Sequence, residues 1–386
     1  MPVSIITRQD HLAYYVEHGV SPVRQDISDL DKHLQRRESL YRGVGLPASF
    51  IEGKRVLEVG PGSGHNSLFV ATCNPATLDL VEPNPTGIQG IVDLYAEFRL
   101  PHTTPNLIRQ RLEDFQPKEL YDIAIAEAWI GVPPNELELL AKLSSFVKPG
   151  GVLIVTATSP IGMLANTLRR ILGDVLIDGT ANIQEQTRLL LPAFSAHLSG
   201  MAAMSRPHED WIQDSLLNPG FLTSCLTPEA IFKAVGEEFS VYETFPRMAT
   251  DWRWYKSLHG EGRRFNEAFL ERYFEQCHNL WDFLRLDPAR DAERNRDFER
   301  HSMELIALVA KAWNEARLPD KKEIQDCIAL IRGSVMDLGE AFTKPLDEFS
   351  EIYSRPAFSA QDVAGMKALG PVFGRELVYV SLLRQK

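Results

Sequence analysis

The chain has 386 residues, 44% of them hydrophobic and 24% charged, which is enough for a sizeable core and for one or two domains. Its formal net charge is −11, and the basic pairs Arg36-Arg37, Arg169-Arg170 and Arg263-Arg264 are interleaved with acids, so a nucleic-acid substrate is not expected. No run approaches the roughly 18 apolar residues of a membrane-spanning helix. The first ten residues lack the basic-then-apolar order of a secretory signal, and the four scattered cysteines (Cys73, Cys225, Cys277, Cys327) read as reduced thiols, so the expectation is a cytoplasmic protein.

Residues 1–50 read as a helical segment. Ile27, Leu30, Leu34, Leu40 and Tyr41 recur at helical spacing, and Gly43, Gly45 and Pro47 end the pattern. From 54 to 158 strand-like and helix-like stretches alternate, the mark of a parallel α/β sheet. The strands are expected at Arg55–Val59, Thr77–Val81, Asn106–Arg109, Tyr121–Glu127 and Gly151–Thr156. The first runs into a glycine-rich turn and a new helix: Val56-Leu57-Glu58-Val59-Gly60-Pro61-Gly62-Ser63-Gly64, then His65-Asn66-Ser67-Leu68. Such a turn lets backbone approach a ligand closely, and the helix start aims unpaired N–H groups at it. A dinucleotide site wants G-x-G-x-x-G. Here the glycines fall at 60, 62 and 64, and His65 stands where the third glycine would be, which disfavours NAD.

After Thr158 the alternation stops. Helical periodicity is expected over Gly162–Leu172 and Ile183–Leu191, and Thr227-Pro228-Glu229 reads as a capped helix start. Phe239–Phe245 alternates like a strand, residues 262–355 are again helical, and a terminal strand is expected at about 376–383. If the strand at 239–245 is the sixth of a sheet and the terminal one the seventh, a long helical insertion separates two neighbours, and such an insertion is usually a lid or subdomain.

The turn VLEVGPGSG at 56–64, the acidic loop LVEPNP at 80–85 and VKPGG at 147–151 resemble, in order and spacing, the motifs of class I S-adenosylmethionine (SAM) dependent methyltransferases over about 55–158. The resemblance implies an α/β, Rossmann-like, seven-stranded methyltransferase sheet with large helical cap insertions. It implies SAM as cofactor and S-adenosylhomocysteine (SAH) as product. It carries Glu58, Gly60, Gly62 and Gly64 to the methionine end and the turn, Glu82 to the ribose hydroxyls, and Leu112 with Glu113 to the adenine, while Pro83 and Asn84, next after Glu82, are placed to wall the adenine. Tyr41 and Arg37 of the preceding helix are placed to face the cofactor carboxylate, and Glu127, at the end of the fourth strand, lies beside the cleft. Strand four continues Glu127-Ala128-Trp129 rather than Asn-Pro-Pro-Tyr, which argues against amino-directed nucleic-acid and glutamine substrates.

The chain then divides into a helical cap segment at 1–50, a SAM-binding core at 51–158, a helical insertion at 159–225, a return to the core at 226–258, a helical lid at 259–370 and a terminal core strand at 371–386. Methyl transfer from a sulfonium requires alignment and exclusion of water, and for some acceptors a base. His208, His197 and Glu127 are the candidate bases, with His259 a further histidine after the sixth strand. No metal is expected. Trp129, Trp211, Trp252, Trp254 and Tyr255 are candidates for lining an apolar or cationic pocket, against the alternative of core packing. The expected function is methyl transfer to an oxygen or nitrogen of a small molecule enclosed by the cap, with no nucleic-acid partner and with a homodimer as the assembly considered. The alternatives are a protein side-chain methyltransferase and a non-catalytic SAM- or SAH-binding protein.

Overall fold

A computed structural model describes residues 27–130, 135–180, 182–201, 204, 206–218 and 225–386. In chain order its strands and longer helices are α1 (Leu30–Gly43), β1 (Arg55–Val59), α2 (Ser67–Thr72), β2 (Thr77–Val81), α3 (Pro85–Glu97), β3 (Asn106–Ile108), β4 (Tyr121–Ala126), α4 (Glu136–Ser145), β5 (Val147–Thr158), α5 (Pro160–Leu176), α6 (Ile183–Ser199), α7 (Pro228–Val235), β6 (Phe239–Phe245), α8 (Phe265–Gln276), α9 (Ala292–Asn314), α10 (Lys321–Ser334), α11 (Glu340–Ser354) and β7 (Leu377–Arg384). The described residues form two compact units, one of 27–157, 226–273 and 377–386, the other of 158–225 and 274–376. The first 26 residues of the expected N-terminal cap segment lie outside the described residues. Residues 27–50 belong to the first unit, with the sheet, rather than to a separate cap piece. The expected lid at 259–370 likewise divides, at residue 274.

In the first unit the seven strands form one sheet in the order β3-β2-β1-β4-β5-β7-β6. The pairs β1/β2, β2/β3, β1/β4 and β4/β5 are parallel, while β6 and β7 are antiparallel, with Phe239 opposite Arg384 and Phe245 opposite Tyr379. The apolar run of β1 suits a strand covered on both faces, and all of it after Arg55 is buried. The chain winds outward from β1 to β3, then returns to lay β4 on the other side of β1. That reversal makes the carboxyl ends of β1 and β4 the switch point of the sheet, where open α/β sheets bind ligands.

Local chemistry sets the helix starts. Asp29, Asn84 and Thr227 cap α1, α3 and α7 by accepting the amides of Lys32, Thr86 and Ala230. Pro85 and Pro228 follow at the first helical position, where no amide partner is needed. Below the turn, Tyr41, Ile51, Val56, Phe69, Val70, Leu80, Ile123 and Ile125 form the core.

The second unit is helical. Its first helix is longer than its periodicity suggests, because Ser159 caps Gly162 N–H and Pro160 opens the helix two residues early. Helix α6 runs through Pro192 instead of stopping at Leu191; the proline is exposed, where the carbonyl it orphans can turn to water. Arg169 is fully buried on α5 and donates to the carbonyls of Leu369, Gly370 and Val372 at 3.2, 3.0 and 2.8 Å. That binds the segment leading to β7 onto α5. The two backbones also touch directly. A Cβ on Gly374 would sit 1.9 Å from the Gly162 carbonyl oxygen, and one on Gly162 would sit 2.1 Å from that of Arg375.

This contact gives a stability prediction. Gly374→Ala meets backbone rather than a movable side chain and is expected to cost about 2–3 kcal/mol. Gly333→Ala, exposed within α10 with nothing within 4 Å of its Cβ, is expected to gain up to about 1 kcal/mol. Urea unfolding of the two variants should move the midpoint in opposite directions.

Candidate functional site

The glycine turn is built at the switch point. Gly60, Gly62 and Gly64 all take positive φ (70°, 58° and 80°), a region costly for any residue with a Cβ. The Gly60 amide donates to Val81 O of β2 at 2.9 Å, so the turn stays tied to the neighbouring strand. Glu82, directly after β2, accepts the Gly62 amide at 2.9 Å on one oxygen and the Asn84 amide at 2.7 Å on the other. Helix α3 comes close enough that a Cβ on Gly87 would lie 2.9 Å from Gly62 O and 3.3 Å from the Glu82 carboxyl carbon. Glu58, Gly60, Gly62, Gly64 and Glu82 therefore converge.

Three carboxylates share this small region, and each is treated differently. Glu127 has a cation: Arg37 Nη2 donates to it at 2.5 Å, with Tyr41 OH at 3.1 Å and Asn66 Nδ2 at 3.3 Å. Burial alone would lower the Arg37 pKa, but the Glu127 carboxylate more than offsets this and holds it above its ordinary value. Glu82 has only backbone amides. Burial pushes it up to about 7, against the opposing pull of the Asn84 and Gly62 N–H groups. Glu58 is 3% exposed and is pushed up to about 8, first by burial and then by the nearby Glu127 charge.

Among the described residues, the buried Asn66 Oδ1 and Arg37 Nε have no hydrogen-bond partner, and Glu58 Oε2 has none either, the Glu58 carboxyl having only the Ser67 hydroxyl within reach. Unsatisfied buried groups are rare, and a set of them around one turn asks for a ligand or ordered water. Acceptors on Glu58 and Asn66 beside a donor on Arg37 suit the ammonium and carboxylate of an amino-acid end. The residues present thus fit the methionine portion of SAM.

Helix α1 contributes more than the expected Tyr41 and Arg37. His33, Arg37 and Tyr41 lie four residues apart on one face, all buried. His33 Nε2 reaches His65 O at 2.8 Å, at the far side of the glycine turn. One helical stripe therefore contacts both the turn and Glu127. The spacing of polar residues at 33, 37 and 41 was the signal available for it in the sequence.

Pro83 is half-buried beside Glu82, and Leu112 is buried after β3. Glu113 is exposed, and its carbonyl accepts from Lys142 Nζ. His197 and His208 belong to the second unit. His197 is buried with Nε2 2.9 Å from Val363 O and Nδ1 3.4 Å from Arg169 Nε, and burial, with the Arg169 charge, lowers its pKa to about 4. Both of its nitrogens are engaged in holding its unit together. His208 opens a short helix (His208–Ile212) and is half-buried, and His259 is exposed. Of the aromatic group, Trp211 is buried against Phe373, whereas Trp252, Trp254 and Tyr255 are 85%, 66% and 71% exposed. Trp129 alone among them stands at the glycine turn, its indole N–H donating to Val59 O at 2.6 Å.

Residues 32–191 match the family model described as "Methyltransferase domain". A ribosomal RNA small subunit methyltransferase G from Nitrosococcus oceani is 27% identical over 107 residues, covering 28% of this chain and 47% of that protein. The chain thus spans about half the length of that curated relative. Among solved structures, the N-methyltransferase NodS from Bradyrhizobium japonicum, in complex with SAH, is 15% identical over 39% of this chain and 75% of its own, with a TM-score of 0.30. PKMT2 from Rickettsia typhi is 16% identical over 54% and 42%, with a TM-score of 0.35. The glycine turn, the acid after β2 and the family match define a SAM-binding methyltransferase domain of Rossmann-like α/β fold. Residues 32–191 thus carry the likeness to class I SAM-dependent methyltransferases, with SAM as the cofactor of that domain.

Two measurements check this electrostatic reading. Arg37→Met leaves Glu127 buried without its cation and should cost about 3–5 kcal/mol, while Arg37→Met with Glu127→Leu should recover much of the loss. Urea unfolding of the two variants gives both values. The second concerns pH. Glu58 and Glu82 hold protons well above the ordinary glutamate value of 4.5. Their contribution to stability is therefore full below that value and is lost as pH rises through about 7 to 8. Without ligand, Glu58→Gln should lose less stability than wild type between pH 5 and 8.

Proposed function

We propose that the chain is an active methyltransferase that moves a methyl group from SAM to an oxygen or nitrogen of a small molecule. The observation that carries the cofactor half is the buried, unpartnered Glu58 Oε2 beside three positive-φ glycines, with Asn66 Oδ1 and Arg37 Nε equally unpartnered. In this reading Glu58 and Asn66 hold the ammonium, and Tyr41 and Arg37 stand at the carboxylate. The turn at Gly60, Gly62 and Gly64 lets the backbone approach, Glu82 takes the ribose hydroxyls on its remaining lone pairs, and Pro83, Leu112 and Glu113 border the adenine. The bound cofactor supplies an electrophilic methyl on a sulfonium. The protein's part is to align the acceptor and keep water out.

The net charge of −11 disfavours a polyanion as acceptor. The second unit is made of the segments that follow β5 and precede β7. The relative that acts on ribosomal RNA supports a nucleic-acid reading, which the same labelling test separates. With SAM labelled on its methyl group and a cell extract as acceptor source, label should enter the small-molecule fraction. Label in RNA or in protein would overturn the small-molecule assignment.

The cofactor half makes a sharper prediction. At pH 6.5 free Glu58 holds its proton, since its pKa is about 8, and an α-ammonium is charged. Forming their pair must therefore release close to one proton. Titration calorimetry of SAM in buffers of different ionisation enthalpy should show that release in wild type and little of it in Glu58→Gln. Glu82→Ala should weaken SAM at least about tenfold. Undetectable SAM binding by wild type, or an affinity untouched by Glu82→Ala, would contradict the reading.

A further inference from the structure

We propose that Trp129 is the aromatic wall that faces the cofactor's sulfonium, and that it sets the preference of the site for charged SAM over neutral SAH. This rests on the methyltransferase reading above and deepens it by assigning a residue that distinguishes substrate from product.

The backbone after β4 places this side chain. Two residues after β4, Ala128 takes φ 63°, in the left-handed region that non-glycine residues rarely enter. Its amide is fixed by Thr156 Oγ1 of β5 at 2.8 Å. The consequence of that bend is to lay the Trp129 indole on the glycine turn. Its N–H bonds Val59 O at 2.6 Å, and a Cβ on Gly60 would lie 2.6 Å from Cδ1 and Nε1 of the ring. Local strain of this kind persists where the surrounding structure over-determines it, and it clusters at ligand sites. The core residues around the turn, such as Val56, Leu80 and Ile125, are fully buried, whereas Trp129 is only half-buried at the switch point of the sheet.

The chemistry of the neighbours then selects its role. SAM and SAH differ by one methyl group and by the fixed positive charge of the sulfonium. The carboxylates nearby are committed elsewhere: Glu127 to Arg37, Glu82 to two amides, and Glu58, in the reading above, to the ammonium. An aromatic face attracts a cation through its quadrupole without adding a fourth buried carboxylate, and tryptophan does so best. An indole pinned by its N–H edge is thus suited to recognise the charge that is lost on methyl transfer.

The test is the ratio of SAM to SAH affinity, measured by titration calorimetry on the full chain. Trp129→Leu should lower that ratio about tenfold, with SAH affinity changed by less than about threefold. Trp129→Phe keeps a ring but not the Val59 bond, and its ratio should stay within about threefold of wild type. Equal weakening of both ligands in Trp129→Leu, or no change in either, would overturn the proposal. Thermal unfolding of each variant accompanies the titration. If Trp129→Leu fails to fold, Trp129→Phe decides: a ratio lowered about tenfold there would overturn the aromatic account, and a ratio kept would support it. Wild-type protein that binds neither SAM nor SAH would instead sink the methyltransferase reading itself.

Discussion

Three buried carboxylates crowd the switch point of the sheet, and the local architecture follows from how each is kept tolerable. Glu127 is neutralised by Arg37, which is why α1 carries an arginine on its inward face. Glu82 is held by two backbone amides, which also fixes the glycine turn against the end of β2. Glu58 receives neither and keeps its proton to about pH 8. A buried acid left in that state is a standing electrostatic debt, and a cationic ligand is the natural relief. SAM brings two positive groups to such a place, an ammonium and a sulfonium. The account here gives the first to Glu58 and the second to Trp129.

The same economy explains why the helix before β1 matters. A buried ion pair is poor evidence for stability by itself, because desolvation cancels most of its attraction. Its value is in register. Arg37 fixes where α1 lies along β4, Tyr41 reinforces that contact, and His33 fixes the same helix to the start of α2. In the second unit Arg169 plays a comparable part among the carbonyls of 369–372, and His197 is spent in the same network.

Much of this was legible in the sequence, and the division is physical. β1, β2 and β6 stand where alternation and β-branched runs put them, and Thr227 and Pro228 start their helix as their side chains require. The glycine turn was readable because positive φ demands glycine. Less legible was anything decided by distant partners. Arg37 and Glu127 are 90 positions apart, and nothing local says that they meet. The left-handed turn at Ala128 was hidden, since alanine gives no turn signal. Helix α6 continues past Leu191, where the periodicity ends, because a proline on an exposed face such as Pro192 need not end a helix. The histidines illustrate the limit on site reading: a residue type suited to base chemistry does not reveal, as at His197, that both its nitrogens are already taken.

The central claim is that Glu58, the acid at the glycine turn with no cation of its own, is the anchor of the cofactor. A crystal structure of the full chain with SAH bound tests it most directly. The account predicts the SAH ammonium within hydrogen-bonding distance of Glu58 and the ribose hydroxyls on Glu82, with the backbone of 60–64 against the ligand. SAH bound away from the carboxyl ends of β1 and β4, or bound there with its ammonium out of reach of Glu58, would contradict it.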